Sequence, residues 1–128
     1  LFSEGRATGL ADLRITLGRI REHLGDRVLW MKCSELARVV AAQAVTRAAV
    51  SETTEGIGVR LSSTIACPDF TARLRCEREV RSVHVGDREL RRLPEGCGAL
   101  EPFTWHQERG EIAWCADLPS GEMSIALR

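Results

Sequence analysis

Histidine and cysteine are the side chains of this sequence that could bind a metal ion or carry a reactive group. The chain has three histidines and five cysteines: His23, His84, His106, Cys33, Cys67, Cys76, Cys97 and Cys115. A structural zinc site usually takes its ligands from close pairs such as C-x-x-C, and no such pair occurs here. A set drawn from separate strands would be His84, His106, Cys97 and Cys115. No motif supports that set, so we predict no metal site in the chain.

The cysteines are expected to be reduced, because their number is odd and their spacing follows no disulfide framework. Cys76 and Cys115 lie in strand-like alternation and suit the role of small, buried apolar residues. A disulfide between Cys67 and Cys76 is the alternative that the spacing leaves open. Reduced cysteines favour a cytoplasmic location over a secreted one.

No catalytic or cofactor-binding motif is present in the sequence. The sequence lacks the HExxH, GxSxG and P-loop patterns. These patterns respectively supply metal ligands, a nucleophile and a loop that binds phosphate. Four carboxylates near the C-terminal end are most simply explained as solvated charges: Glu95, Glu101, Glu108 and Glu111. We therefore predict no catalytic and no cofactor-binding residue, and a small stand-alone enzyme is disfavoured.

Trp105 and His106 are the residues that we single out as a candidate ligand contact. A flat indole ring can stack on a sugar ring, and Trp105 lies in a loop-like stretch before Gly110. The favoured alternative is that Trp105 is a loop aromatic that closes one end of a β-sandwich. Trp114 alternates with Ile112 and is predicted to lie in the core.

Length, composition and charge limit the classes of protein to which the chain can belong. With 128 residues it has room for one domain or two very small ones. Lysine and arginine together number 18, as do aspartate and glutamate, and this balance argues against a nucleic-acid partner. No apolar run approaches the ~20 residues that cross a bilayer, so no membrane partner is expected.

The first part of the chain is predicted to form a helix, a strand and a second helix. Leucine and isoleucine recur every three or four residues over 10–24, which predicts one apolar helix face, and Gly25 suits a left-handed cap. The run Val28–Met31 is wholly apolar and predicts a strand buried on both faces. Ser34 can cap a second helix that extends to about Ala44.

From Thr46 onward the pattern is that of antiparallel sheets. Turn signals occur at Gly86-Asp87 and at Pro119-Ser120-Gly121. Each predicted strand has one apolar face, so about six or seven strands should pack as a small antiparallel β-sandwich. Apolar and polar residues alternate over 57–61, 70–76, 83–85, 112–114 and 123–127.

These patterns predict an α+β chain with two domains. A strand buried on both faces belongs to a parallel α/β sheet, and this sequence offers no neighbouring strands for it. We therefore expect residues 1–45 to be the C-terminal end of an α/β domain whose other strands lie upstream of Leu1, and residues 46–128 to be the β-sandwich. The alternative is that Val28–Met31 pairs with an edge of the β region.

A motif surrounds the predicted strand within residues 9–42. It consists of Gly25, Asp26, Arg27, Val28, Trp30 and Met31, followed by Ser34, Glu35, Leu36 and Ala37. This segment resembles the end of the catalytic domain in polysaccharide-deacetylase-type proteins (carbohydrate esterases), where the last barrel helix leads to a gD-R-V-x-W-M strand and an S-E-L-A helix. The resemblance implies that residues 1–45 are the terminal helix-strand-helix piece of an α/β barrel and that 46–128 are an accessory β-sandwich.

The resemblance also implies a parent enzyme that removes N-acetyl or O-acetyl groups from a glycan. Such enzymes bind a divalent metal, such as zinc, through an Asp and two His, and the metal activates water. Those ligands lie upstream of the matching segment, so the metal is expected only in the upstream domain and no catalytic residue carries over to this chain. The expected partners are the upstream catalytic domain of the same protein and a carbohydrate. The alternative is a stand-alone β-sandwich module that binds a glycan or a protein.

Overall fold

The fold is described from a computed structural model, which covers residues 2–25, 31–97 and 99–128. The chain divides into two compact units, 1–32 and 33–128. The second predicted helix groups with the sheets in the second unit. The domain division expected near residue 45 stays a prediction. The predicted strand Val28–Met31 lies outside the described residues except for Met31, which is in no strand and is 41% exposed.

Helix α1 (Phe2–Leu24) occupies most of the first unit. It includes the predicted helix over 10–24 and begins eight residues earlier than that prediction. Gly25 has a φ of 49°, so the left-handed cap predicted at the end of the helix is confirmed. The described helices contain no stretch with the length and hydropathy that crossing a bilayer requires.

Helix α2 (Cys33–Val45) belongs to the second unit and packs on its core. The helix begins at Cys33, so Ser34 lies in the first turn and is not the cap residue that the sequence predicted. Ala42 is fully buried, and Val39 packs against the same core cluster. Where the helix ends, Thr46 donates hydrogen bonds from both its hydroxyl and its amide to the carbonyl oxygen of Ala42, at 2.6 and 2.9 Å.

The strands of the described residues form two sheets. The five-stranded sheet has the order β1-β2-β9-β4-β5, and the four-stranded sheet has the order β3-β8-β7-β6. All strand pairs are antiparallel except β6 with β7. The strands are β1 (Arg47–Thr53), β2 (Gly56–Ser63), β3 (Cys67–Arg75), β4 (Val83–Val85), β5 (Arg88–Glu89), β6 (Arg91–Arg92), β7 (Thr104–Glu108), β8 (Glu111–Leu118) and β9 (Gly121–Leu127).

Two short connections join the sheets at one end. Strand β2 leaves the five-stranded sheet and leads into β3 of the four-stranded sheet, and β8 returns to β9 through Pro119 and Ser120. The predicted turn at Pro119-Ser120-Gly121 therefore passes between sheets. The Ser120 hydroxyl donates a hydrogen bond of 3.2 Å to the carbonyl oxygen of Thr64, which links the two connections.

The core lies between the inward faces of the two sheets. Its buried side chains come from β2, β8 and β9 above all, because the period of two places alternate residues of each strand on one face. Each large apolar side chain buried in this way stabilises the fold by about 1.5–3 kcal/mol relative to exposure. Central members are Val59, Leu61, Ile112, Trp114, Ile125 and Leu127.

The predicted α+β class is confirmed at the level of two helices and two mostly antiparallel sheets in the described residues, and these sheets do not close into a barrel. The alternating segments over 57–61, 70–76, 83–85, 112–114 and 123–127 all lie in or overlap strands. Strand β1 was not predicted. The prediction of a loop around Trp105 is wrong, because this residue lies in strand β7.

Gly56 and Gly86 lie at hairpins and differ in the space that is available for a side chain. Gly56 has a φ of 151°, and a Cβ atom there would overlap the carbonyl oxygen of Leu127. Gly86 follows β4 at a φ of 57°, and a Cβ atom there would have no neighbour within 4 Å. Gly86-Asp87 joins β4 to β5, as predicted, with Val85 opposite Arg88.

We predict that Gly56→Ala destabilises the protein far more than Gly86→Ala. The first change adds a clash with backbone, so its cost should exceed the roughly 0.5–3 kcal/mol of most single substitutions. The second change adds only the left-handed backbone penalty of about 1–2 kcal/mol. Urea unfolding followed by circular dichroism measures both, and equal losses would contradict the close approach of Gly56 to Leu127.

Candidate binding surfaces

Trp105 lies inside the fold and not on a surface. Its side chain is 1% exposed, it stands opposite Trp114 in the β7–β8 pair, and the Arg92 guanidinium carbon lies 5.1 Å from the centre of its ring. An indole in this position has no exposed face on which a sugar ring could stack. The ligand contact expected of Trp105 and His106 remains a prediction, and only His106 has exposed surface with which to make it.

His106 lies on the outward face of the four-stranded sheet, opposite Ala113. It is half-buried, and its Nδ1 atom is inaccessible and has no hydrogen-bond partner in the described residues. A catalytic or metal-binding imidazole normally has its second nitrogen held by a carboxylate or a carbonyl group. The geometry around His106 therefore lacks the support that either chemistry requires.

The residues considered for a zinc site are separated by the fold. His84 lies in the five-stranded sheet between Ala126 and Glu89, whereas Cys115 is buried in β8 of the four-stranded sheet. Cys97 lies in the connection between β6 and β7. Within residues 2–25, 31–97 and 99–128, no group of three or more His, Cys, Asp and Glu side chains is placed to hold a metal ion.

No two of the five cysteines are paired in the structure, and the expected reduced state stays a prediction. Cys67 begins β3 and Cys76 follows its last residue, so the two lie too far apart for the alternative Cys67–Cys76 disulfide. Cys67, Cys76 and Cys115 are buried, as expected of structural cysteines, and Cys33 is exposed. Burial raises the pKa of the Cys67 thiol, an effect that the positive charge of Arg38 partly opposes. Burial also raises the pKa of the Cys115 thiol. A hydrogen bond with the Thr71 side chain lowers this pKa, but by less than burial raises it.

Helix α2 has two apolar faces. One face carries Val39 and Ala42 and packs on the core of the second unit. The other face, which we call the α2 stripe, carries only apolar side chains at spacings of three and four residues, and all of them are exposed. Leu36 is 51% exposed and Val40 is 57% exposed. The α2 stripe consists of Cys33, Leu36, Ala37, Val40 and Ala44.

Helix α1 also exposes its apolar face. The residues that predicted the helix remain largely accessible, with Leu10 at 59% and Leu13 at 53%. Leu17 and Leu24 continue the same face at 37% and 43%. A helix usually buries an apolar face that is repeated over four turns, whereas this face is exposed.

The α2 stripe was missed by sequence reasoning, although a signal for it exists. At 3.6 residues a turn, Leu36 and Val40 lie on one side of the helix and Val39 and Ala42 on another. Two apolar rows on one helix indicate burial on both sides. Nothing local distinguishes the row that meets this chain's own sheets from the row left exposed.

Comparisons of the chain with protein-family models, with curated proteins and with solved structures find no significant match.

We predict that native thiol labelling separates Cys33 from the buried cysteines. At pH 8, iodoacetamide should alkylate Cys33 readily, because it is exposed. Cys67 and Cys115 should react only after unfolding in urea, since burial shields them and keeps their thiols protonated. Peptide mass spectrometry measures each site, and native alkylation of Cys115 as fast as that of Cys33 would contradict the structure.

The two faces of α2 should respond differently to a charge. Val39→Asp is expected to lower the free energy of unfolding by roughly 2–4 kcal/mol, because it places a carboxylate against the core. Val40→Asp should change it by no more than about 0.5 kcal/mol, since this side chain is exposed. Urea unfolding of both variants checks the assignment, and a cost for Val40→Asp as large as that for Val39→Asp would refute it.

Proposed function

We propose that this chain is the noncatalytic C-terminal part of a polysaccharide-deacetylase-like hydrolase that acts on carbohydrate. In this proposal the two helices are the last elements of an α/β barrel, and the sheets are an accessory domain fused to it. The observation that carries the proposal is the exposed α2 stripe, with Leu36 at 51% and Val40 at 57% exposure. The motif shared by residues 9–42 supplies the family.

A helix with two apolar faces suits an element that lies between two bodies. The Val39–Ala42 face of α2 is satisfied by the sheets, and the α2 stripe then remains for a second partner. Helices that surround a parallel sheet bury such a face against the strands. Burying apolar surface contributes about 25 cal/mol per Å², so covering the α2 stripe would help to hold an accessory domain beside the barrel.

The apolar face of α1 supports the same proposal independently. Leu10, Leu13, Leu17 and Leu24 form the face that a barrel helix would turn toward its strands, and they are exposed in this chain. Outside the helices, the described residues with exposed large apolar side chains are Met31, at 41%, and Val50 of β1, at 53%. The exposed apolar surface is thus concentrated where the resemblance requires an upstream domain.

The parent reaction would take place in the upstream domain. A divalent metal there would activate water for attack on the acetyl carbonyl group. The described residues of this chain offer no cluster of ligands that fits a metal ion, so no catalytic step is assigned to them. The role proposed for this chain is to support the barrel and to hold the accessory sheets beside it.

A stand-alone binding module is the second candidate, and one observation favours it. Residues 33–128 form a compact unit with its own core between the two sheets. Such a unit needs no upstream strand to fold. The two candidates differ in the α2 stripe, which has a permanent partner in the first and none in the second.

The test compares one substitution in two contexts. In this chain alone, Val40→Asp should leave the stability unchanged, as stated above. In a longer protein that includes the upstream domain, the same change should lower the midpoint of urea unfolding, because it would bury a charge at the interface. It should also speed hydrogen exchange of the Leu36 backbone amide. Ser62→Asp on the outward face of β2 is the matched control, since Ser62 is exposed and does not belong to α2.

An equal and small effect of Val40→Asp in both contexts would reject the proposal. The open reading frame upstream of Leu1 provides a separate check. Paired aspartates and an H-x-x-x-H motif in that frame would support a deacetylase-like parent, and an unrelated frame would favour the stand-alone module.

A further inference from the structure

The sandwich is open along one side, where the edge strands β1 and β3 border an apolar cleft of about 210 Å³. Val50 stands opposite Val59 in the β1–β2 register, so the two share the inward face of the five-stranded sheet. Val59 is 4% exposed, whereas Val50 is 53% exposed. The four-stranded sheet therefore covers β2 and leaves the inward face of β1 open, and every residue of β1 is exposed.

Strand β1 is the sheet edge that lacks protection against pairing with another chain. Of the other edge strands in the described residues, β5 and β6 have two residues each and offer little backbone for pairing. Strand β3 contains Pro68, and its register with β8 shifts between Cys67 and Phe70. Prolines and irregularities of this kind keep a foreign strand from pairing. In contrast, β1 pairs with β2 in regular register along its whole length and contains no proline.

The free edge of β1 presents the backbone groups of Ala48, Val50 and Glu52. Thr53 stands opposite Gly56 across a turn of two residues, and the residues that flank such a turn exchange backbone hydrogen bonds. Bonded and non-bonded pairs alternate along an antiparallel ladder, so the N–H and C=O groups of Ala48, Val50 and Glu52 point away from β2. These groups make no other backbone hydrogen bond within the described residues, and they are available to a further strand.

The charged residues of β1 have opposite signs at its two ends. Arg47 begins the strand, Glu52 lies near its end, and Glu55 follows in the turn. When two β1 strands lie antiparallel, the beginning of each is beside the end of the other, so opposite charges attract at both ends. A parallel pair would instead place like charges together at each end. The charges therefore make β1 complementary to an antiparallel copy of itself.

We propose that β1 is an interface at which two copies of this chain pair edge to edge, antiparallel, about a two-fold axis at Val50. In this register Val50 stands opposite Val50 of the second copy, and Ala48 stands opposite Glu52. Each free N–H and C=O group of these residues then has a partner in the other copy. The two five-stranded sheets join into one, the exposed Val50 side chains cover each other, and the symmetry closes the assembly as a dimer.

This interface is separate from the surface on which the proposed function rests. Strand β1 and the α2 stripe belong to different elements of the second unit. A dimer through β1 leaves Leu36 and Val40 unpaired with the second copy, so they stay available for an upstream domain. The two proposals are thus tested by different variants, and either can fail without the other.

Analytical ultracentrifugation of the full chain tests the dimer. One pair of edge strands is a small interface, so we expect a reversible dimer with a Kd on the order of micromolar. Val50→Lys should weaken the association at least about tenfold, because it sets two positive charges opposite each other at the axis. Ser124→Lys is the matched control and should leave the Kd unchanged, since Ser124 is an exposed residue of the same sheet in the interior strand β9.

Cysteine cross-linking tests the register. In a Cys33→Ser background, which removes the exposed native thiol, Val50→Cys should give a covalent dimer under mild oxidation. Residues paired in this way have Cα atoms about 5.5 Å apart, which a disulfide can span. Ala48→Cys is the matched control, because the two introduced thiols would lie four residues apart along the strands, roughly 13 Å, and should not join. Electrophoresis without reductant measures both.

A chain that sediments as a monomer at near-millimolar concentration would overturn the proposal. So would a dimer that Val50→Lys leaves intact, since its interface would lie elsewhere, or cross-linking of Ala48→Cys as fast as that of Val50→Cys. Val50 and Ala48 are exposed, so their replacement should not impair folding, and circular dichroism of each variant verifies that the sheets are intact.

Discussion

The burial of Trp114 is the interaction on which the second unit depends. Strand β8 pairs with β3 on one side and with β7 on the other, and Trp114 stands between Ala72 and Trp105 in this register. Its indole shares one core cluster with side chains of the five-stranded sheet, so it joins the two sheets from the inside. The same burial leaves the indole N–H without a hydrogen-bond partner in the described residues, which is a cost that the apolar contacts of the ring must offset.

Helix α2 is held on this core by one of its two apolar faces. Ala42 is fully buried and the chain continues through Thr46 directly into β1, so the orientation of the helix is set by the sheets. Since 3.6 residues make a turn, holding one face inward turns Leu36 and Val40 outward at the same time. The core therefore holds the exposed stripe in one orientation.

Strands were predictable from the sequence where their inward residues alternate with polar ones. Ile57, Val59 and Leu61 in β2 follow this rule, and so do Met123, Ile125 and Leu127 in β9. Strand β7 does not follow this alternation, because Thr104 lies on its outward face and is nevertheless buried. Contacts with distant segments cause this burial, and the local sequence does not indicate them. Strand β1 was missed because an edge strand with an uncovered inward face has little need of apolar residues.

The sequence by itself determined the α+β class, the apolar face of α1, the cap at Gly25, the core position of Trp114 and the burial of Cys76 and Cys115. These follow from local spacing and from residue chemistry, which act over a few residues of chain. Only the tertiary structure decided the order of strands in the two sheets, the burial of Trp105, the two faces of α2 and the open side between β1 and β3. Such features depend on which distant segments meet, because pairing partners and uncovered edges are properties of the whole fold.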